Sequence, residues 1–259
     1  MELPKWVPTD QREFLACALN VLAEDPRVVG VAAGGSFISK SMDEYSDIDL
    51  VIVVSDEALR SDTEARMEIA RTLGPLLTGF RADHVGEPRL IICLYGPPIV
   101  KADLKFIVAE DLLQRVEDPV VLYDPQGVVE AQLRKCQAHY PSPDRQWIED
   151  AFWIWIHYVA AKIRRGELFE AKAIVNFLME KVLGPLATME GGHRATGVRR
   201  IELRAPNRVL ALSRLFVPFD RQAIKESAQA AVDLYISLRV DVEVRKNAEV
   251  AAVQYLADS

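Results

Sequence analysis

Gly35 and Ser36, Asp47 and Asp49, and Asp103 are the residues whose types and spacing could do chemistry. An apolar run, Val28 to Ala33, breaks into Gly34-Gly35-Ser36, and ten residues then separate Ser36 from Asp47. Asp47 and Asp49 bracket Ile48 at the head of a second apolar run, Leu50 to Val54. In a strand, side chains two apart point the same way, so both carboxylates share one face. Like charges that close resist joint ionisation unless a cation sits between them. Magnesium suits such a pair, because one or two carboxylates plus phosphate oxygens complete its octahedron. A strand-ending turn with bare backbone amides is in turn a nest for phosphate. The combination is an apparatus for a nucleoside triphosphate, ATP or another NTP.

Asp103 is the third acid of the set. Ile99 to Val108 alternates as a strand, with Val100, Ala102, Leu104, Phe106 and Val108 on one face and Lys101, Asp103 and Lys105 on the other. If that strand lies beside the Asp47 strand, three carboxylates converge next to the Gly35-Ser36 turn. Three acids can hold two metals roughly 3.5–4 Å apart, the spacing that clamps the attacking and leaving oxygens of an in-line displacement. Lys101 and Lys105 would neutralise phosphate charge as it shifts toward pyrophosphate.

Each feature alone has a plainer explanation. Gly34-Gly35-Ser36 could be only a tight turn, Asp47 and Asp49 could cap a loop, and Asp103 could simply pair with its two lysines. Their order along one chain is what raises the functional reading above these. A rival for the same stretch is the P-loop pattern G-x-x-x-x-G-K-[ST], which GGSFISKS nearly fits, with Ser39 where the second glycine belongs. That glycine permits a backbone geometry serine rarely adopts, and the long helix a P-loop needs does not follow Ser41.

The elements that must position these residues read as two halves. Thr9 or Asp10 caps a helix running to about Glu24, carrying Phe14, Leu15, Ala18 and Leu22 on one face. Strands follow at Val28 to Ala33, Asp47 to Val54, Arg89 to Tyr95, Ile99 to Val108 and Val120 to Tyr123, with a short helix expected over Ser36 to Ser41. Helices are expected over Ser61 to Leu73, Asp111 to Val116 and Gly127 to Ala138. The Pro-rich stretch His139 to Arg145 reads as a linker. Beyond it come helices at Gln146 to Arg165 and Glu167 to Leu183, segments broken at Pro185, Pro206 and Pro218, and a long final helix from about Arg221. The expected fold is an α/β domain with a mixed sheet and flanking helices over residues 1–140, plus an all-α helical bundle over 141–259.

The bulk properties narrow the partners. A net charge of −7 lacks the basic footprint of a general nucleic-acid binder. Cys17, Cys93 and Cys136 are too few and too scattered for a disulfide framework or zinc cluster, which fits a reduced cytoplasm. No apolar leader opens the chain, and its most hydrophobic stretch, Ala151 to Ile163, is too short to span a bilayer, so no membrane partner is expected.

GGSFISKSMDEYSDIDLVIVV resembles the signature of the polymerase-β-like nucleotidyltransferase superfamily: Gly-Ser, a short spacer, Asp-x-Asp, and a third Asp on a later strand. Within it, the resemblance is to the small antibiotic nucleotidyltransferases, which include aminoglycoside and lincosamide enzymes. The motif covers about the first 110 residues; the helical half is similar in architecture only. The resemblance implies that Gly35 and Ser36 hold the triphosphate and that Asp47, Asp49 and, by the looser KADLKF match, Asp103 bind Mg2+. Phe37-Ile38 stands where many members carry an arginine, so further phosphate contacts fall to Ser39, Lys40 or the backbone. The implied reaction moves AMP from ATP, or another nucleotide, to a hydroxyl of an aminoglycoside-like small molecule enclosed by the helical half. Asp103 or Glu149 would take the proton. In the resembling family many such pockets are completed by a second subunit, which leaves a homodimer open. Nucleotidylation of a protein or RNA, and a non-catalytic nucleotide-binding module, are the alternatives on the same residues.

Overall fold

The computed structural model of the chain describes residues 3–259, residue 58 through its backbone only. It divides into two compact units, residues 1–140 and 141–259.

Unit 1 is a six-stranded mixed sheet: β1 (Val28–Ala33), β2 (Ile48–Val54), β3 (Leu76–Arg81), β4 (Leu90–Tyr95), β5 (Val100–Ile107) and β6 (Val120–Tyr123), in the order β3-β4-β5-β2-β1-β6. Only β2 and β5 run parallel; every other pair is antiparallel. The period of two decides the layers. Leu50, Ile52, Ala102, Leu104 and Phe106 pack on one face against Leu15, Ala18 and Leu22 of the helix Thr9–Glu24, Ile69 of the helix Thr63–Thr72 and Leu73 at that helix's C-cap. Each such buried large side chain stabilises by about 1.5–3 kcal/mol. The opposite face carries only a small apolar cluster, Val53 and Ile107 with Leu112 and Val129. The rest of that face is where Asp49, Asp103 and Lys105 stand.

Several local expectations change. The first helix starts at Thr9 with Pro8 at its cap and no side-chain cap bond, so Thr9 and Asp10 lie within its first turn. The phosphate turn holds a single 3-10 turn, Gly35–Phe37, in place of a helix to Ser41. β3 is an additional strand, an edge paired only with β4. Its half-exposed LLTGFR, interrupted by Gly79, lacks the continuous apolar run of a central strand.

Unit 2 is all helical. Asp144 caps the helix Arg145–Arg165 by accepting from the Trp147 amide at 3.0 Å, and Gly166 ends it in the left-handed region. A second helix, Leu168–Leu178, runs through a π turn, Met179–Leu183, into Gly184–Glu190. The expected long final helix is two helices, Arg221–Leu238 and Lys246–Ala257. The break has a physical cause in alternating valines, Val240, Val242 and Val244, and in Asp241 at φ +56. Arg239 pairs with Glu249 across it at 2.7 Å. Among the described residues, no helix is long and apolar enough to cross a membrane.

Candidate metal and nucleotide site

The turn after β1 is built tightly against β2. The Gly34 amide donates to the Asp49 carbonyl at 2.9 Å, and Gly35 sits at φ +56, which a glycine adopts without strain. Phe37 is buried and meets the Trp6 ring at 4.9 Å between centroids, fixing the far side of the turn. Ser36 is 7% exposed, and its Oγ has no hydrogen-bond partner. An orphan buried hydroxyl costs about 1–3 kcal/mol, so it marks a place that a ligand atom would relieve. The loop into β2 is also held. Buried Gln11, from the first helix, donates through Nε2 to the Glu44 and Ser46 carbonyls, both at 3.1 Å.

Parallel pairing of β2 with β5 places Asp49 directly opposite Asp103. One oxygen from each of Asp47, Asp49 and Asp103 lies within 4.8 Å of the others. Burial, and then the like charges of Asp47 and Asp103, push the Asp49 carboxyl up to about 6. A divalent cation among the three would remove that repulsion, and an all-oxygen donor set suits magnesium. The residues therefore fit a metal ion. Lys101 supplies the positive charge here: its Nζ bridges Asp47 at 2.9 Å and Asp103 at 2.6 Å. Lys105 instead faces Glu87, at 2.9 Å.

A cavity of about 230 Å³ opens from this cluster along the same sheet face, between Val51 and Ile107 below and the segment 111–119 above. Its charged wall is largely self-paired. Glu87 pairs with Arg89 at 2.7 Å as well as Lys105, and Arg89 also reaches Asp111 at 3.2 Å. Burial works against the Glu87 charge, but the bonds from Arg89 and Lys105 outweigh it and bring the carboxyl down to about 2.

The structure adds one residue at the site that the sequence reading missed. The Glu117 carboxylate accepts from the Gly35 amide at 2.9 Å, and no ion pair to it forms among the described residues. Glu117 lies outside the motif, in the loop between the 3-10 segment Ala109–Gln114 and β6, and nothing in its local sequence signals the contact.

The remaining expected site residues fall elsewhere. Ser39 is exposed, and its hydroxyl lies 2.7 Å from that of Ser41. Lys40 is exposed at φ +53. Glu149 belongs to the interior of unit 2, where it has no exposed surface. Its carboxylate accepts from Trp153 Nε1 at 3.0 Å, the Tyr235 hydroxyl at 2.6 Å and the Arg245 amide at 2.9 Å. Burial opposes its charge, yet these bonds keep its carboxyl below the ordinary glutamate range. A carboxylate so enclosed and so engaged is an anchor for the bundle, and it is poorly placed to accept a substrate proton. Trp153 is part of the same core, while Trp155 is partly buried between Trp147 and Phe177.

The Gly-Ser turn, Asp47 just before β2, and Asp49 and Asp103 on the adjacent parallel strands all lie within residues 18–133, which match the family model of the nucleotidyltransferase domain. That match spans somewhat less than half of the chain and places a nucleotidyltransferase domain within unit 1. Among solved structures, an aminoglycoside 6-adenyltransferase from Bacillus subtilis is similar at 14% identity and a TM-score of 0.35, over 97% of this chain and 96% of that one. A nucleotidyltransferase-like protein from Exiguobacterium sibiricum is similar at 13% identity and a TM-score of 0.38, over 88% and 75%. No curated protein matched the chain.

Proposed function

We propose that the protein moves a nucleoside monophosphate, AMP from ATP in the leading case, to a hydroxyl of a small aminoglycoside-like acceptor. The acceptor class rests on the likeness of GGSFISKSMDEYSDIDLVIVV to the antibiotic enzymes. The observation that carries the chemistry is the trio Asp47, Asp49 and Asp103 within 4.8 Å, beside the Gly35-Ser36 turn. Magnesium held by these carboxylates would supply Lewis acidity, neutralising phosphate charge and lowering the pKa of the hydroxyl.

The chain's own groups account for the rest. The Gly35 amide and the Ser36 hydroxyl are the donors offered to the triphosphate. The acceptor oxygen bonds to the α-phosphorus, the bond from that phosphorus to the β-bridging oxygen breaks, and pyrophosphate leaves with the electron pair. The hydroxyl proton goes to a carboxylate of unit 1, for which Asp103 is the candidate. Lys101, whose Nζ stands between Asp47 and Asp103, is the cation that would pair with phosphate oxygens. Residues 141–259 are the proposed acceptor-binding part.

The test is pyrophosphate release from the four NTPs against a panel of aminoglycosides and metabolites. Release with ATP and magnesium is expected for the wild type. Asp49→Asn is expected to lower it by about 10² or more, the scale of removing a principal charge-stabilising group. Full activity in Asp47→Asn and Asp49→Asn would sink the proposal.

A further inference from the structure

The Gly35 amide, which the proposed function gives to the triphosphate, already has an anion on it: the Glu117 carboxylate at 2.9 Å. We infer that Glu117 is an internal stand-in for phosphate, so that nucleotide loading is an exchange in which the triphosphate displaces this side chain from the turn. The inference rests on the phosphate reading of Gly35-Ser36.

Four features carry it. Charge is the first. A carboxylate and a phosphate oxygen compete for the same kind of donor, and Glu117 forms no ion pair among the described residues that would draw it elsewhere. Close approach is the second. Glu117 Oε1 lies 3.1 Å from where a Gly34 β-carbon would stand, so the bare backbone of Gly34 lets the carboxylate sit this close to the turn.

Anchoring is the third. The neighbouring Arg115 donates to the Leu112 and Leu133 carbonyls, each at 2.9 Å, and pairs with Asp118 at 2.6 Å. The backbone beside Glu117 is therefore fixed, and the exchange is a rotation of one side chain with a defined position to return to. Room is the fourth. Glu117 lines the cavity of about 230 Å³ that runs from Asp49 and Asp103, which gives the released carboxylate space to move. In the empty site the carboxylate satisfies an amide that would otherwise stand bare. In the loaded site it no longer competes.

Titration calorimetry with ATP and magnesium, without acceptor, tests this on the full chain as wild type, Glu117→Gln and Glu117→Ala. Inorganic tripolyphosphate serves as a second probe that lacks base and sugar. Glu117→Ala is expected to bind both probes about tenfold more tightly, the weight of one charge-assisted hydrogen bond no longer competing. Glu117→Gln keeps the shape and an acceptor oxygen without the charge, and is expected to fall between the two. Unchanged or weaker binding in both variants, with the wild type binding normally, overturns the exchange and leaves the phosphate reading standing. No binding of either probe by any of the three proteins overturns both.

Discussion

The Asp49 carboxylate occupies the space in which a residue at position 35 would carry its β-carbon: an added Cβ on Gly35 would lie 1.9 Å from Asp49 Oδ2. The turn proposed to meet phosphate and the acid proposed to meet metal are thus fitted closely to one another. Sequence separates them by thirteen residues, and the Gly34 amide bonded to the Asp49 carbonyl holds them in place.

Gly35→Ala should therefore act on the proposed metal site and not only on the turn. Two penalties add: the contact with Asp49, and a residue with a β-carbon forced to φ +56. Left-handed backbone at a non-glycine residue costs about 1–2 kcal/mol. The expected outcome is a fall in melting temperature together with weaker magnesium binding, read by calorimetry on the folded fraction. A variant that loses stability but binds magnesium like the wild type would separate the two residues.

How much of this was legible in the sequence depended on range. Val28 to Ala33 and Leu50 to Val54 announce their strands by local apolar runs, and Asp103 lies on the polar face that strict alternation gives it. The register that sets Asp49 opposite Asp103 is not local. It follows from a parallel pairing that only the assembled sheet fixes. Glu117 reaches Gly35 across 82 positions, through a loop whose course no periodicity describes. The surroundings of Glu149 were hidden for a related reason. At the start of a helix an acid suits the dipole, and neither the Tyr235 hydroxyl nor the Arg245 amide that fix its carboxylate is near it in sequence. The final helix looked continuous because Arg221 to Leu238 and Lys246 to Ala257 are each helical, while the break lies in a short valine-rich turn.

The wall of the cavity should make stability depend on pH through Glu87. Its carboxyl is brought from 4.5 to about 2 by Arg89 and Lys105, against the opposing effect of burial. A carboxylate with a lowered folded pKa stabilises fully above its unfolded value and loses that contribution as pH falls through the folded one. Glu87→Gln is therefore expected to cost about 1–3 kcal/mol at pH 7, the range for hydrogen bonds to a charged group with some exposure. The gap to the wild type should stay constant down to about pH 4.5 and close toward pH 2. Urea unfolding of both proteins across this range measures it. A gap that does not change with pH would show that the ion pairs contribute nothing.

Glu149 separates an anchoring role from a proton-accepting one. Three donors converge on its carboxylate, and Arg239 lies 3.5 Å away, so the charge is both satisfied and countered inside unit 2. Glu149→Gln removes the charge facing Arg239 and turns one acceptor oxygen into a donor aimed at groups that already donate. Breaking one side of such a buried arrangement costs about 3–5 kcal/mol. The expected result is a large drop in the unfolding transition of the helical unit, with turnover per folded molecule changed less than tenfold at a temperature where the variant is still folded. A general base would behave differently, because its loss lowers turnover by about 10²–10⁴ whatever the stability. A loss of that size, with the unfolding transition unmoved, would return Glu149 to the chemistry.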